Sequence, residues 1–460
     1  MTNDETIPKR EVGNADRVRA FLAEISIQHW LLGLGLFLAG SVSSVHAQRA
    51  FSVSVRATNQ NGATISWKAQ SATPAGDLVI VPQFIVQRSA DLKTWAPISS
   101  NISASVNQTI SVTDSNSGLA FYRVGSLIQK EYAELTRATL SSGQLAGADF
   151  FGARLFGAFL DQAQLPGASL SGADVRTADF TLADLTGADL FGIQASEAIF
   201  DGAMLKGADA SFADFQFASF SGTDLRGADF SFSILSDAVL DFAAFHQVKM
   251  DTNTVIDPKP KLIWQVVNLG PTNLVLTNKD LSVATLTNLN FKGAKLNGSD
   301  LFGTDMTGSD LRGANFTLAD TSFIDFAGTL LDGTTVIDAK SRLVWAIVNQ
   351  PQAGRDLHGT NISSTFLLGA NLTTANLTNS ICTNGFFRRL NLGGANLTQA
   401  NFTDCLLASA SITNANLTLT KFRFADLTGA SLRNSITNGT DFTGATFSNT
   451  IMPDGSIRNF

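Results

Sequence analysis

One regularity constrains the fold of this chain more than any other feature: Leu or Phe falls on every fifth residue from Leu135 to Phe245. An α-helix repeats its apolar face every 3.6 residues and a plain strand every two, so neither explains this series. The period therefore predicts a solenoid built from short, similar units. Of 23 consecutive positions in the series, only three hold another residue, namely Val175, Ala195 and Ala210.

Strand alternation assigns a direction to each residue of the five-residue unit. We denote the recurring Leu or Phe as position i; positions i and i−2 then point inward, and position i−1 points outward. Ala occupies i−2 in 19 of the 23 units, which keeps the interior narrow. Gly occupies i+2 in 11 units, where a corner with unusual dihedral angles is expected. Predicted core residues at position i include Leu185, Leu190, Leu225 and Phe230.

The repeat resumes twice after Phe245, and two related segments separate the resulting blocks. These inserts match each other at a constant offset, so that Thr254-Val-Ile-Asp257 recurs at 335–338. Each carries apolar residues on one helical face, which predicts a short helix that either packs on a coil or binds a partner. The divisions are block 1 at 133–247, an insert at 248–275, block 2 at 276–331, an insert at 332–356, block 3 at 357–447 and a C-terminal cap or tail at 448–460.

The units themselves resemble a known family. Ala183-Asp-Leu-Thr-Gly187 and Ala375-Asn-Leu-Thr-Asn379 are similar to the repeat of the pentapeptide-repeat family, A-(D/N)-L-x-x. The resemblance implies a right-handed, four-sided β-helix in which each coil consists of four such units. The expected fold class is therefore all-β: a quadrilateral pentapeptide-repeat β-helix with two short helical inserts, preceded by an N-terminal β-sandwich.

The chain before the repeat divides into a leader and a small domain. Residues 1–47 contain the apolar run Trp30–Ala39 and small residues before Gln48, the pattern of a secretory signal peptide. An uncleaved anchor and a misassigned start are the alternatives. Residues 50–128 hold several short alternating segments and predict a β-sandwich. Because Val86–Trp95 is similar to a segment of fibronectin type III modules, we interpret this domain as a fibronectin type III-like spacer or binding module.

Composition weighs against several classes of function. A formal net charge of −7 disfavours nucleic acid and anionic lipid as partners. Two cysteines exclude a disulfide scaffold, and the repeat places Cys382 at position i and Cys405 at i−2, both inward. Four histidines leave little material for acid–base chemistry near neutral pH. We therefore predict a protein that is not an enzyme, with no catalytic residues, no cofactor and no metal.

An acidic column is expected on the outside of block 1. With four units in each coil, Asp189, Asp209 and Asp229 stack at position i−1. Such a column either binds a cation, imitates a phosphate backbone or is simply solvated. Block 1 carries 15 acidic and 5 basic residues, a net of −10, whereas block 3 carries 3 and 5, a net of +2. In block 3, Asn takes position i−1 and is expected to bond from layer to layer, as at Asn376, Asn396 and Asn416.

Aromatic residues at outward positions form the second half of the candidate interaction face. Phe212 and Phe232 stack at position i+2, and Phe217 and Phe242 occupy the same unit position nearby. Exposed apolar patches mark contact surfaces. Either an external partner or the chain's own sandwich or insert helix is expected to cover these rings.

The sequence thus favours an exported, non-enzymatic structural or protein-binding scaffold, located in the periplasm, outside the cell or at its surface. Its expected partner is an unknown protein or cell-surface component, or a second copy in a homodimer. We expect no stable membrane span after the leader is cleaved. The alternative is a DNA-mimic inhibitor of a topoisomerase, an activity known within the pentapeptide-repeat family.

Overall fold

The computed structural model describes residues 135–271 and 274–459 together with six strands between residues 53 and 126. The predicted leader, residues 1–47, lies outside the described residues. The strands are β1 (Val53–Thr58), β2 (Gly62–Lys68), β3 (Gln83–Ser89), β4 (Ala96–Ser103), β5 (Thr109–Asp114) and β6 (Phe121–Ser126). They pair in two antiparallel sheets of three strands, one in the order β1-β2-β5 and the other in the order β4-β3-β6.

Each block of the repeat is a stack of coils with four units in each coil. Parallel backbone bridges join each i−1 residue to the residue 20 positions later, as in the series Asp189, Asp209, Asp229. Four five-residue sides therefore make one turn, and the repeat forms a β-helix as predicted. The described coils fall into two compact units, one containing residues 135–268 and the other residues 269–459.

Backbone hydrogen bonding explains why the unit is five residues long. The N–H of position i and that of i+2 donate to the next coil, the N–H of i−1 donates to the previous coil, and the N–H of i−2 closes a turn on the preceding position i. The N–H of i+1 reaches no carbonyl, and the side-chain oxygen of the i−1 Asp or Asn accepts it instead. In the unit of Leu190 the bonds are Leu190 N to Asp209 O (2.7 Å), Phe191 N to Asp189 Oδ1 (3.1 Å), Gly192 N to Ser211 O (2.9 Å), Ile193 N to Leu190 O (3.1 Å) and Gln194 N to Ala173 O (2.9 Å).

The interior is filled by positions i and i−2, in agreement with strand alternation. Stacked rings run along it from coil to coil: Phe180 lies 4.9 Å from Phe200, and Phe200 lies 5.0 Å from Phe220, between ring centroids. Ala at i−2 leaves the width that such rings need. Fully buried residues at position i include Leu185, Leu190, Leu225 and Phe230.

Two short helices occupy the inserts, as predicted: α1, Pro258–Leu269, and α2, Ala339–Asn349. Pro at the first position of α1 is favoured because its missing N–H would have no helical partner there. At the start of α2, the Asp338 carboxylate accepts the backbone N–H of Ser341 at 3.0 Å and caps the helix. Neither helix is long and apolar enough to cross a membrane, and the same holds for all of the chain that the structure describes.

Each helix takes the place of a further coil at the end of its block. In α1, the indole Nε1 of Trp264 donates to the Val248 carbonyl at 2.8 Å, a group that the next coil would otherwise bind. One turn later, Asn268 accepts the Gln247 N–H at 2.8 Å and donates to the Phe245 carbonyl at 2.9 Å. In α2 the same bonds recur at the corresponding residues, from Trp345 to Thr329 O and between Asn349 and Gly328 N and Phe326 O.

Block 3 ends differently, in a hairpin. Its second strand runs antiparallel to the last coil and covers the exposed edge of that coil, and the guanidinium of Arg458 lies over the Phe447 ring at 4.0 Å. A parallel pair in block 1 and this hairpin are the remaining strands: β7 (Ile234–Leu235) with β8 (Val255–Ile256), and β9 (Thr450–Ile451) with β10 (Ile457–Arg458).

Candidate functional site

Three exposed phenylalanine rings contact one another on one side of block 1. Phe212 and Phe232 are stacked with their centroids 4.6 Å apart and their planes 4° from parallel. Phe191 tilts against Phe212 at 5.3 Å. The three side chains are 45%, 54% and 46% exposed, in chain order. We refer to Phe191, Phe212 and Phe232 as the Phe ladder.

The ladder rings project outward because of the corner at position i+2. Phe212 and Phe232 have φ angles of 58° and 61°, in the left-handed region that Gly adopts at many other corners. A Cβ atom built on Gly192, at the corner one coil before Phe212, would meet no atom within 4 Å. A side chain at this corner therefore enters solvent. Phe there costs about 1 kcal/mol of backbone strain relative to Gly, and ring stacking offsets about the same amount.

Phe217 and Phe242 do not extend this ladder. They belong to the units of core positions 215 and 240, which form other sides of the coil, so the expected group of four is divided among three corners. Phe217 is 59% exposed and Phe242 is half-buried, and both have positive φ angles. Phe191 was missed by sequence reasoning because it occupies i+1 rather than i+2. The sequence does contain this information, because Phe191 precedes Phe212 by 21 residues, one more than a full coil. The two rings therefore lie on neighbouring coils near the same corner.

The acidic column lies beside the ladder, and its carboxylates form bonds within their own turns. Oδ1 of Asp189 accepts the N–H of ladder residue Phe191 at 3.1 Å. Oδ1 of Asp209 and Oδ1 of Asp229 each accept the N–H two residues on at 3.0 Å. Lys249 approaches Asp229 at 3.5 Å. The sequence interpretation of a solvated column missed this bonding, which follows from the position of Asp within the turn.

Electrostatics of the column follow from these contacts. Burial would raise the pKa of Asp229, but hydrogen bonds from Ser231 and the charge of Lys249 outweigh it, so the pKa is lower than usual. Elsewhere in block 1 Asp224 binds Arg226 in the same turn, with an Nη2–Oδ2 distance of 2.6 Å.

Within residues 135–271 and 274–459, no group of three or more His, Cys, Asp or Glu side chains could hold a metal ion.

The corresponding column of block 3 bonds mostly within single turns rather than between layers. Oδ1 of Asn376 accepts both the N–H and the hydroxyl of Thr378, at 3.2 and 2.7 Å. The amide of Asn376 also reaches one layer back, at 3.0 Å, but its partner is Asp356 and not a member of the predicted Asn column. Asn396 and Asn416 repeat the bonds within the turn.

Both cysteines are buried in the core of block 3, as the register predicts. The Cys405 thiol donates to the Cys382 carbonyl at 2.8 Å. Burial raises the pKa of Cys382 to about 12, so its thiol remains protonated at neutral pH and is a poor nucleophile.

The chain matches the family model for pentapeptide repeats over more than half of its length. No curated protein matches the chain. The stretches matched by the family model are 133–172, 144–181, 183–216, 213–251, 272–301, 296–333, 356–389, 387–423 and 425–459.

Several solved structures are similar to parts of this chain. HetL, involved in heterocyst differentiation regulation in the cyanobacterium Nostoc sp. strain PCC 7120, is 22% identical over 65% of this chain and 91% of its own, with a TM-score of 0.18. QnrB1, a plasmid-mediated fluoroquinolone resistance protein, is 19% identical over 44% of this chain and 93% of its own, with a TM-score of 0.13. Rfr23 of the cyanobacterium Cyanothece 51142 is 30% identical over 24% of this chain and 64% of its own, with a TM-score of 0.09. TM-scores this low carry no information on overall arrangement.

The family assignment agrees with the geometry. The family model and the five-residue unit cover the same part of the chain, and the bridges between coils give the four-unit turn that the resemblance implied. Proteins of this kind are generally non-enzymatic. The chain is a member of the pentapeptide-repeat family.

Proposed function

We propose that this protein is an exported, non-enzymatic scaffold that binds a partner protein through the Phe ladder. The observation that carries the proposal is the contact between three exposed rings, two of them at corners where Gly would fit with less strain. Aromatic side chains held rigidly at a surface are typical of the residues that dominate protein interfaces. The ladder would insert into an apolar pocket of the partner.

The charge beside the ladder defines the partner further. Asp189, Asp209 and Asp229 run along the same side of block 1, and block 1 as a whole carries a net charge of −10. The matching surface therefore has an apolar centre with Lys or Arg at its rim. Such complementarity speeds association and weakens with added salt.

Export and the nature of the N-terminal domain are part of the same proposal. The apolar run before Gln48 supports a cleaved leader. The right-handed winding of the coils is likewise part of the proposal, and it rests on the family resemblance. The strand orders β1-β2-β5 and β4-β3-β6 are compatible with a fibronectin type III-like sandwich, in which consecutive strands are divided between two sheets. We assign this domain a spacer role.

A test compares captured partners among matched variants. The protein is cross-linked to the extracellular and periplasmic proteins of the cells that produce it, and partners are identified by mass spectrometry. Phe212→Gly/Phe232→Gly should lose the partner while folding normally, because Gly is favoured at both corners. The control is Phe424→Gly in block 3, which removes a ring of similar exposure at a similar positive φ. Equal capture by all three proteins would overturn the proposal, as would a loss confined to the control.

The alternative function, a DNA-mimic inhibitor of a topoisomerase, is favoured by the acidity of block 1. The net charge of +2 in block 3 weighs against it, since a duplex carries negative charge along its whole length. The mature chain should leave supercoiling by purified bacterial gyrase unchanged. Inhibition at micromolar protein, together with recovery of the chain from the cytosol with residues 1–47 intact, would establish the alternative instead.

A further inference from the structure

Block 1 contains a contact among an arginine, a carboxylate and an aromatic ring. The guanidinium of Arg176 binds both oxygens of the Asp174 carboxylate, with Nε–Oδ1 and Nη2–Oδ2 distances of 2.8 Å. Its Cζ atom also lies 5.7 Å from the centroid of the Phe156 ring, which belongs to the preceding coil. We refer to Phe156, Asp174 and Arg176 as the arginine triad. A lysine ammonium would reproduce only the charge of this contact, because a planar guanidinium is needed to bind two oxygens side by side.

The same three positions recur at the Phe ladder, 35 residues later and therefore seven units along the repeat, on the adjacent side of the rod. Asp209 and ladder residue Phe191 hold the positions of the triad carboxylate and the triad ring. The third position differs, because Ser211 stands where the triad has Arg176. The ladder thus keeps the carboxylate and the ring of the triad but lacks its guanidinium.

The bonds of Asp209 show which atom the missing guanidinium leaves open. In the triad, Oδ1 of Asp174 accepts a backbone N–H and Nε, and Oδ2 accepts Nη2. Oδ1 of Asp209 accepts the backbone N–H of Ser211 at 3.0 Å and its hydroxyl at 2.6 Å, so the hydroxyl takes the place of Nε. Oδ2 of Asp209 accepts no hydrogen bond from any residue that the structure describes, and Asp209 is exposed. This oxygen is therefore available to a donor from outside the chain.

Neighbouring charges do not supply the missing cation. Arg154 lies one coil before the triad carboxylate, whereas Asp189 lies one coil before Asp209. The coil after Asp209 adds Asp229, whose own cation, Lys249, approaches it at 3.5 Å. Among the described residues, no Lys or Arg nitrogen lies within 4.0 Å of the Asp209 carboxylate. The ladder side of block 1 therefore carries an uncompensated negative charge at the position where the triad carries a paired one.

We propose that the partner of the Phe ladder docks an arginine side chain at Asp209, a proposal that rests on the function stated above. The guanidinium donates to Oδ2 of Asp209 and lies against the Phe191 ring, as Arg176 does in the triad. The Phe212 ring, which tilts against Phe191 at 5.3 Å, borders the same place. Arginine is enriched among the residues that dominate interfaces, and its pairing with a carboxylate strengthens when an interface covers it. The rim of the partner surface thus carries arginine rather than lysine at this point.

Fluorescence anisotropy with labelled octa-arginine tests the proposal on the full chain at low ionic strength, with octa-lysine as a probe of equal charge. Octa-arginine should bind at least about threefold more tightly than octa-lysine, because only a guanidinium makes the paired, stacked contact. Phe191→Leu should remove most of this preference, because it removes the ring. Equal affinities of the two probes for the wild-type chain would overturn the proposal.

Matched carboxylate variants locate the binding of octa-arginine. Asp209→Asn should lower its affinity at least about threefold. The control is Asp179→Asn, which makes the same charge change on another side of block 1 at a carboxylate that also accepts a backbone N–H in its own turn. The control should have a much smaller effect. Equal losses in the two variants would mean that the peptide follows net charge, and they would overturn the proposal.

A second pair of variants supplies the guanidinium from within the chain. Ser211→Arg copies the triad, so its side chain should occupy Asp209 and lower octa-arginine affinity at least about threefold without lowering the melting temperature. Ser236→Arg adds the same charge at the same unit position, but Ile234 stands there in place of the carboxylate, so the loss should be smaller. Equal losses in these two variants would likewise overturn the proposal.

Capture of the partner separates this proposal from the proposed function. Loss of the partner by Phe212→Gly/Phe232→Gly, Ser211→Arg and Asp209→Asn alike would support both. If only the ladder variant loses the partner, the partner binds the ladder without an arginine at Asp209. That outcome would overturn the arginine proposal and leave the proposed function standing.

Discussion

Blocks 1 and 3 solve the same structural problem with different side chains. In many units, one N–H that no neighbouring coil reaches is bound instead by a side-chain oxygen at i−1. In block 1 that oxygen belongs to Asp, as at Asp184, which accepts the Thr186 N–H at 2.9 Å. In block 3 it belongs to Asn, as at Asn396, which also accepts the Thr398 hydroxyl at 2.6 Å. Coils with Ile199 or Met204 at i−1 form the same bridges without such an oxygen. Where an acceptor is present it need not be charged, so the net charge of a block can change without changing the fold.

The two blocks also end differently. Block 1 ends at α1, whose Trp264 and Asn268 side chains bind the Val248 carbonyl and the Gln247 N–H, two groups that a further coil would bind. Block 3 ends at the β9–β10 hairpin, in which backbone pairing covers the edge and Arg458 stacks on Phe447. A helix cap depends on a few side chains, whereas a hairpin cap depends mainly on backbone. The two caps should therefore differ in their sensitivity to mutation.

The largest effect should be common to both blocks and come from the core. Leu190→Asp in block 1 and Leu397→Asp in block 3 each bury an unpaired carboxylate and should cost more than about 4 kcal/mol. We expect the cooperative thermal transition of the affected unit to disappear in circular dichroism. Gln194→Asp is the control, because it places the same charge at an outward i−1 position and should melt like wild type. A normal melt for Leu190→Asp would mean that position i does not face inward.

The next effect should separate the two kinds of cap. Trp264→Ala removes an indole bond to a carbonyl and the packing of α1, and it should cost about 2–3 kcal/mol of unfolding free energy. Trp345→Ala should cost a similar amount because it loses the equivalent bond. Arg458→Ala removes the cation–ring contact with Phe447 but leaves the backbone pairing of the hairpin, and it should cost about 1 kcal/mol. Urea unfolding of the three variants measures these differences. A larger cost for Arg458→Ala than for the two Trp variants would mean that the hairpin cap, and not the helix cap, depends on its side chains.

A smaller effect should test whether the i−1 side chain acts through its acceptor. Asp184→Ala and Asn396→Ala each leave an N–H without its protein partner and should cost about 1 kcal/mol. Asp184→Asn keeps the oxygen and should cost less than half of that. Thermal unfolding at neutral pH gives the comparison. If Asp184→Asn proved as costly as Asp184→Ala, charge and not hydrogen bonding would be the requirement in block 1.

The smallest effect should appear in the pH dependence of block 1. The Arg176 side chain, bonded to Asp174 at 2.8 Å, holds the pKa of that carboxyl below its usual value. Because the folded pKa is the lower one, the stabilisation is present above the unfolded value near 3.8 and is lost as the pH falls through the folded value. Asp174→Asn should cost on the order of 0.5 kcal/mol at pH 7, since the pair is partly exposed, and nothing at pH 2. The cost of Asn396→Ala should not change with pH between these values.

Several features could be predicted from the sequence because they repeat locally. Inward burial of Leu190, the positions of both short helices and the burial of the cysteines all follow from strand alternation or helical periodicity within a few residues. The pairing of Phe212 with Phe232 followed once the resemblance supplied a coil of four units. Phe191 was not predicted, because its contact joins position i+1 of one coil to i+2 of the next.

The pocket at the end of block 2 was also beyond sequence reasoning, because its lining comes from block 2, α2 and the start of block 3. Thr321 interrupts the apolar series of block 2, and its hydroxyl bonds to Ser341 Oγ at 2.7 Å and to Asp338 at 3.2 Å. These contacts join separate segments of the chain, so the order of residues within one turn does not predict them.

By itself, the sequence determined the five-residue unit, the inward positions and the division into blocks. These are properties of single turns, governed by the steric alternation of strands and by a corner that admits a left-handed residue. Only the tertiary structure decided which outward side chains meet: the Phe ladder, the bonds of the acidic column and the lining of the pocket at the end of block 2. The physical reason is that these contacts join residues from different coils, far apart in the chain, and hydrogen bonding between coils sets their register.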